Sequence, residues 1–193
     1  MEQGLRERKK ARTMHHVQAV ALKLFSERGF DEVTVEQVAA EAEVSPSTVY
    51  RYFGTKEGLV IVDEFDDPAI GGFEALLVTD EPLLVVLRRA FASIDEEQFG
   101  QARSLTMIRT KMILDTPALS AAAAIRIAEL TVGLADHLAA ARGFTRAKAL
   151  ALVATGMGCM VAALHEWYEA DGAVSYSACL DEALDALSEL RTT

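Results

Sequence analysis

The stretch from Gly29 to Gly54 leaves this chain little freedom of fold. Apolar side chains recur there at helical spacing and are cut into short runs by residues that start or stop helices. Thr34 is placed to cap a helix, with Gln37 three residues on as its capping-box partner. Val35, Val38 and Ala39 give that helix a buried face, which ends near Ala42. Glu43-Val44-Ser45 leaves room only for a tight connection. Ser45-Pro46 then opens another helix, with the serine as N-cap and the proline at the first helical position, where its missing N–H costs nothing. Val49 and Phe53 lie four apart and face inward, and Gly54 stops the run.

A longer helix precedes this pair. Val17, Val20, Ala21, Leu24 and Phe25 mark one face of a segment from Thr13 to Gly29; Thr13 can cap its start, or the basic residues before Thr13 can extend the helix upstream. Two short helices joined by a three-residue turn and packed on a longer first helix make a helix-turn-helix module. Its small core is expected from Val35, Val38, Val44, Val49 and Phe53. Beyond Glu57 the periodicity predicts helices at Lys56–Phe65, Glu81–Gln98, Arg103–Leu114, Pro117–Arg142, Thr145–Glu169 and Ser175–Leu190. The breaks fall at Gly71-Gly72, Gly100, Thr116-Pro117, Arg142-Gly143 and Asp171-Gly172. No useful length of strand-like alternation appears. The expected fold is all-α, with about nine helices by this reading. Residues 1–56 form a three-helix head and residues 57–193 a larger helical domain.

The net charge of −10 argues at first against a nucleic-acid partner, but its distribution matters more. Residues 1–56 hold nine Lys/Arg against eight Asp/Glu, and residues 57–193 hold ten against 21. Arg6, Arg8, Lys9, Lys10 and Arg12 fall within seven residues. This run is either an arm for DNA, with Arg12 reaching a phosphate or the minor groove, or a solubilising tail. The acidic remainder would face away from a phosphate backbone. Cys159 and Cys179 make neither a disulfide framework nor a zinc site and read as core residues in a reducing compartment. The charged N-terminus lacks the apolar region of a secretory signal, and no run of about 18 consecutive apolar residues predicts a membrane span. A cytoplasmic protein without a membrane partner is expected.

The residues from Gly29-Phe30-Asp31 through Val44-Ser45-Pro46-Ser47-Thr48-Val49-Tyr50-Arg51-Tyr52-Phe53-Gly54-Thr55-Lys56-Glu57-Gly58-Leu59 closely resemble the DNA-binding head of the TetR family of bacterial regulators. The resemblance covers about residues 13–60. It implies that Thr34 contacts phosphate at the start of its helix. It further implies that Ser47, Thr48, Tyr50, Arg51 and Tyr52, following the cap Ser45, form the recognition surface, and that Lys56 clamps a phosphate at the start of the next helix. The chemistry agrees with these roles. Hydroxyls and helix N-termini donate to phosphate oxygens, and Arg51 is the side chain best able to read a guanine through two hydrogen bonds. A packing role for Tyr50 and a half-exposed filling role for Tyr52 stand as the plainer alternatives.

The resemblance also implies a homodimer formed by the last two long helices, suited to a palindromic double-stranded operator. Residues Ile113 to Leu119, the alanine-rich helix after them and Trp167-Tyr168 are similar to the TetR subgroup of mycofactocin-system regulators, which implies an acyl-CoA-like effector. Phe91, Met107, Ile108, Met112, Leu130, Leu134, Met157, Met160 and Leu164 are the candidates to line its pocket, because methionine adapts to a flexible apolar chain. Each of them is equally at home in an ordinary core. Arg103 and Arg109 are candidates for an anionic head group, while the acidic surplus permits a lipophilic cation instead. His15, His16, His137 and His165 form no metal-binding motif, and no nucleophile elbow or phosphate-cradling loop is present. No cofactor or enzymatic activity is expected. A repressor released from DNA by a small molecule is the leading reading. The rivals are a ligand-binding protein with a degenerate head and a small helical enzyme.

Overall fold

The structure is a computed structural model that describes residues 2–62, 81, 84–86, 88, 89 and 103–189, with backbone alone at 2–8, 188 and 189. The described residues form helices and no strand. They are α1 (Glu2–Arg28), α2 (Val35–Glu41), α3 (Pro46–Phe53), α4 (Gly58–Ile61), α5 (Arg103–Asp115), α6 (Pro117–Arg142), α7 (Arg146–Glu169) and α8 (Tyr176–Glu189). Residues 84–86, 88 and 89 are also helical. Phe91 and most of the expected helix Glu81–Gln98 lie outside the described residues. The chain divides into two compact units, 1–67 with 111–123 and 68–110 with 124–193.

In the first unit, α1 presents Met14, Val17, Ala21, Leu22, Leu24 and Phe25 as a buried face. Val35, Val38 and Ala39 of α2, Val49 and Phe53 of α3, and Leu59 and Val60 of α4 are buried with them, α1 packing on α2 and α4 and α3 packing on the same two helices. Two expectations need correction here. Thr13 does not cap α1: it lies inside a helix that begins at Glu2, and its hydroxyl donates back to the Lys9 carbonyl at 2.9 Å. Extending an existing helix adds one hydrogen bond per ordered residue and avoids the cost of nucleation. The second correction concerns α4, which begins at Gly58 rather than Lys56. The Thr55 hydroxyl accepts the Gly58 N–H at 3.1 Å, so residues 55–57 form the turn before the helix.

Among the described side chains of α1, Gln18 is the one buried polar residue, at 5% exposure. Its amide Nε2 donates to the carbonyls of Leu59, at 3.4 Å, and Val62. These lie at the C-terminal end of α4, where carbonyls have no partner within the helix. Replacing Gln18 with alanine removes those donors and leaves a gap. A loss of about 1–3 kcal/mol is expected, read from the urea midpoint of the first unit's unfolding. An unchanged midpoint would mean that water satisfies the α4 end equally well.

The second unit is built around α7. Ala149, Val153, Gly156, Met157, Cys159, Ala163 and Trp167 are its buried residues. Thr145 caps its start, accepting the Lys148 N–H at 3.3 Å. Tyr176, Cys179, Leu180 and Leu184 of α8 join the same core. Burial raises the Cys159 thiol above its ordinary pKa, and its Sγ donates to the Ala183 carbonyl at 3.5 Å, so it stays a protonated packing residue. Asp171 and Gly172 turn the chain between α7 and α8 with φ of 51° and 62°. By length and composition α6 and α7 are apolar enough to cross a membrane, although neither contains the uninterrupted apolar run sought in the sequence. The apolar face of α7 is spent on the core just described.

Candidate nucleic-acid interface

Local capping fixes the reading head. Thr34 and Gln37 form the reciprocal capping box: the Thr34 hydroxyl accepts the Gln37 N–H at 3.2 Å, and the Thr34 N–H donates to the Gln37 side chain at 2.9 Å. At the other end of α2, Val44 N–H reaches the Ala39 carbonyl at 2.9 Å and Glu43 N–H the Ala40 carbonyl at 3.2 Å. This is a Schellman closure, with Glu43 at φ 54° in the left-handed position usually given to glycine. It turns the chain within three residues into Ser45, the N-cap of α3.

The start of α3 carries a cluster of hydroxyls. Ser45 Oγ accepts the Thr48 N–H at 3.2 Å. It also lies 2.8 Å from Ser47 Oγ and 2.9 Å from Thr48 Oγ1. Val49 and Phe53 anchor α3 in the core, at 1% and 4% exposure. The opposite face is left outside. Tyr50 is 47% exposed, and the exposed Arg51 places its guanidinium carbon 4.8 Å from the centre of the Tyr52 ring. Tyr52, half-buried, meets Phe53 edge-on with ring centres 6.5 Å apart. Stacking on Tyr52 limits the rotamers of Arg51 and holds its planar donors in a fixed direction.

Lys56 is engaged within the head. Its ammonium donates to the Asp31 carbonyl at 3.3 Å and sits 4.5 Å from the centre of the Phe30 ring. Phe30 in turn packs at 5.0 Å on Phe25, near the end of α1. Lys56 thus ties the turn before α4 to the turn after α1. Arg12 is exposed on α1.

Three structural residues escaped the sequence reading. Gln18 looks like any polar interruption of an apolar face. The Asp31 carbonyl is a backbone group with no sequence signal. Gly58 approaches Phe53 so closely that a Cβ there would lie 1.9 Å from the Phe53 carbonyl oxygen; a glycine at a helix start was the available clue.

The pocket candidates divide as follows. Met157 is buried, and Met107, Leu130, Leu134, Met160 and Leu164 pack around the same core cluster. Ile108 is 37% exposed. Met112 is half-buried and belongs to the first unit. Arg103 is taken up by the α7–α8 turn, where it donates to the Asp171 carbonyl at 3.0 Å.

A capped pair of short helices, with one presenting an arginine and two tyrosines outward, defines a helix-turn-helix DNA-binding protein. The family profile for bacterial regulatory proteins of the tetR family matches residues 18–62, and that for the MftR C-terminal domain matches residues 81–191. The transcriptional regulator TcmR of Streptomyces glaucescens is 31% identical, over 95% of this chain and 86% of its own. The putative mycofactocin biosynthesis transcriptional regulator MftR of Mycobacterium tuberculosis is 26% identical, over 93% and 91%. The crystal structure of Thermus thermophilus FadR, a TetR family repressor in complex with lauroyl-CoA, aligns with a TM-score of 0.57 at 21% identity, covering 91% and 93% of the two chains. This chain belongs to the TetR family and carries an MftR-type C-terminal domain. It is a DNA-binding transcriptional regulator, a member of a family of regulators rather than of enzymes, and such regulators bind DNA and small-molecule effectors.

Proposed function

We propose that the protein is a homodimeric repressor that holds a palindromic operator and leaves it when an amphipathic molecule with a long apolar portion binds. Residues 1–56 read the DNA, and residues 57–193 bind the effector and dimerise. The observation that carries the reading is the outward face of α3, where Arg51 is stacked on Tyr52 beside the exposed Tyr50. In this reading Arg51 takes a base edge, and Tyr50 and Tyr52 pack on sugar or thymine methyl. Thr34, Ser47 and Thr48 hold phosphates, and Ser45 fixes the start of the recognition helix. Lys56 and Arg12 supply further phosphate contacts.

Several features support the other half of the reading. On α7, Ala151, Ala154, Gly158 and Ala162 are exposed, as are Ala178 and Ala186 on α8; small side chains let a second pair of helices approach closely. The methionines and leucines around Met157 suit an apolar guest, and FadR, which shares this fold, is solved with lauroyl-CoA. Effector and operator then oppose each other by linkage, each weakening the other by the same factor.

Anisotropy titration with DNA from upstream of the protein's own gene tests the head. Tight binding that falls as salt rises is expected. Arg51→Ala should cost about 1–3 kcal/mol and relax preference at one base pair. Full retention of affinity and preference in that variant would remove Arg51 from base readout. A lack of specific binding to any genomic fragment would favour the ligand-binding protein with a degenerate head.

A further inference from the structure

We propose that Phe30 is a positioning residue for DNA binding: its ring, backed by Phe25, joins the Asp31 carbonyl in fixing the Lys56 ammonium without neutralising it, ready for a backbone phosphate. The inference rests on the DNA-binding reading above and deepens it, from the residue that touches phosphate to the one that aims it.

Lys56 follows Phe53, the last residue of α3, and Asp31 precedes Thr34, the cap of α2, each by three positions. The half-buried Lys56 donates from its ammonium to the Asp31 carbonyl at 3.3 Å. The same Nζ sits 4.5 Å from the centre of the Phe30 ring and 5.9 Å from that of Phe25. The two rings meet edge-on at 5.0 Å and both are buried, so the platform under the cation is part of the core of the head.

The partners of this cation are unusual in kind. Asp31, Glu32 and Glu57 are its acidic neighbours in sequence, yet Lys56 makes no ion pair among the described residues. Asp31 offers its backbone carbonyl and not its carboxylate. A carboxylate would hold the ammonium and cancel its charge. A carbonyl dipole and a ring face hold it and leave the charge for another anion. Two of the three N–H donors of the ammonium also have no partner among the described residues. A strut made only for stability would be better served by an aliphatic side chain on these rings, because half-burying an ammonium gives up hydration. Restraint before binding has a use when the partner is phosphate. The flexible stem of lysine then loses less freedom on contact, and affinity rises without a new contact.

The test is a double-mutant cycle on the full chain, read by anisotropy on the upstream fragment and on an unrelated duplex of equal length. Phe30→Leu keeps an apolar side chain and removes the ring face. It should weaken binding to both duplexes about three- to tenfold. With Lys56→Gln already present, Phe30→Leu should cause no further loss. Equal losses in the two backgrounds overturn the proposal, because they mark a general disturbance of the head. Unchanged affinity in Lys56→Gln alone overturns it too, by removing Lys56 from the phosphates. A trifluorinated phenylalanine at residue 30 keeps the shape and withdraws the negative potential of the ring face. It should weaken binding as leucine does, while Phe30→Tyr, which keeps that face, should not; full affinity with the fluorinated ring overturns the proposal. A further readout needs no DNA. The Lys56 ε-methylene protons of the free protein should resonate upfield of their ordinary position through the ring current and return to it in Phe30→Leu. Ordinary positions in wild type overturn the platform. If wild type shows no preference for the upstream fragment, the proposed operator fails, while the cycle on the unrelated duplex still decides the role of Phe30.

Discussion

Gly58→Ala should cost the protein both stability and DNA binding, out of proportion to the addition of one methyl group. A Cβ at residue 58 lies 1.9 Å from the Phe53 carbonyl oxygen and 2.9 Å from its carbon. Those are backbone atoms at the last residue of α3, so no side chain can rotate away to make room. The Phe53 carbonyl is also held by the Thr55 N–H at 2.8 Å, and the Gly58 N–H is held by Thr55 Oγ1. Relief therefore requires α3 and α4 to move apart and breaks part of this turn. The expected cost is about 1–3 kcal/mol, the range for forcing volume into a filled site. Because the displaced residue closes the recognition helix, operator affinity should fall even where the fold survives. Urea unfolding and anisotropy on the same preparation separate the two effects. Unchanged values in both would mean that the junction yields easily and that α4 does not fix the direction of α3. Serine or alanine at exposed Gly133, with open space around its Cβ position, makes a useful control.

Trp167→Ala should have the largest effect in the second unit. Trp167 is the largest fully buried side chain, at 1% exposure, and shares a core with Tyr176, Cys179 and Leu180. Its carbonyl accepts the Gly172 N–H at 2.9 Å, so the same residue anchors the turn into α8. Emptying so large a site costs about 3–5 kcal/mol. Thermal unfolding followed at 222 nm should show the second unit melting well below wild type. The α7–α8 face proposed for the dimer would be lost with it, so the proposed dimerisation, measured by sedimentation, should weaken in the same variant. A melting temperature within a degree or two of wild type would show that the neighbouring side chains collapse into the space.

The head was legible in the sequence because its instructions are local. The Thr34–Gln37 box, Pro46 at the first position of α3 and Gly54 after Phe53 each act within four residues, and α2 and α3 run as those residues dictate. The contacts of Lys56 were not legible, since its partner is the carbonyl of Asp31, 25 residues away. The start of α1 was left open between Thr13 and the basic residues upstream, because those residues carry no apolar rhythm to count. In the second unit the spacing marked helix boundaries but not faces. Apolar residues fall on every side of α6, so its pattern could not show that Leu138 is fully buried while Ile125 is 62% exposed and Val132 41%. The same ambiguity put Ile108 among the pocket candidates beside Met157, although one is 37% exposed and the other 8%.

The hydroxyls that open α3 have a proton inventory of their own. Ser45 Oγ has two lone pairs, and the Thr48 N–H takes one of them. It can therefore accept from only one of its two hydroxyl neighbours and must give its own proton to the other. Three protons serve two internal links, and a single one remains for the world outside. It belongs to Ser47 in one arrangement and to Thr48 in the other. The two residues are thus alternative donors, not simultaneous ones, for as long as the chain of hydroxyls is intact. A flip of Ser45 Oγ–H hands the role from one to the other without moving a heavy atom.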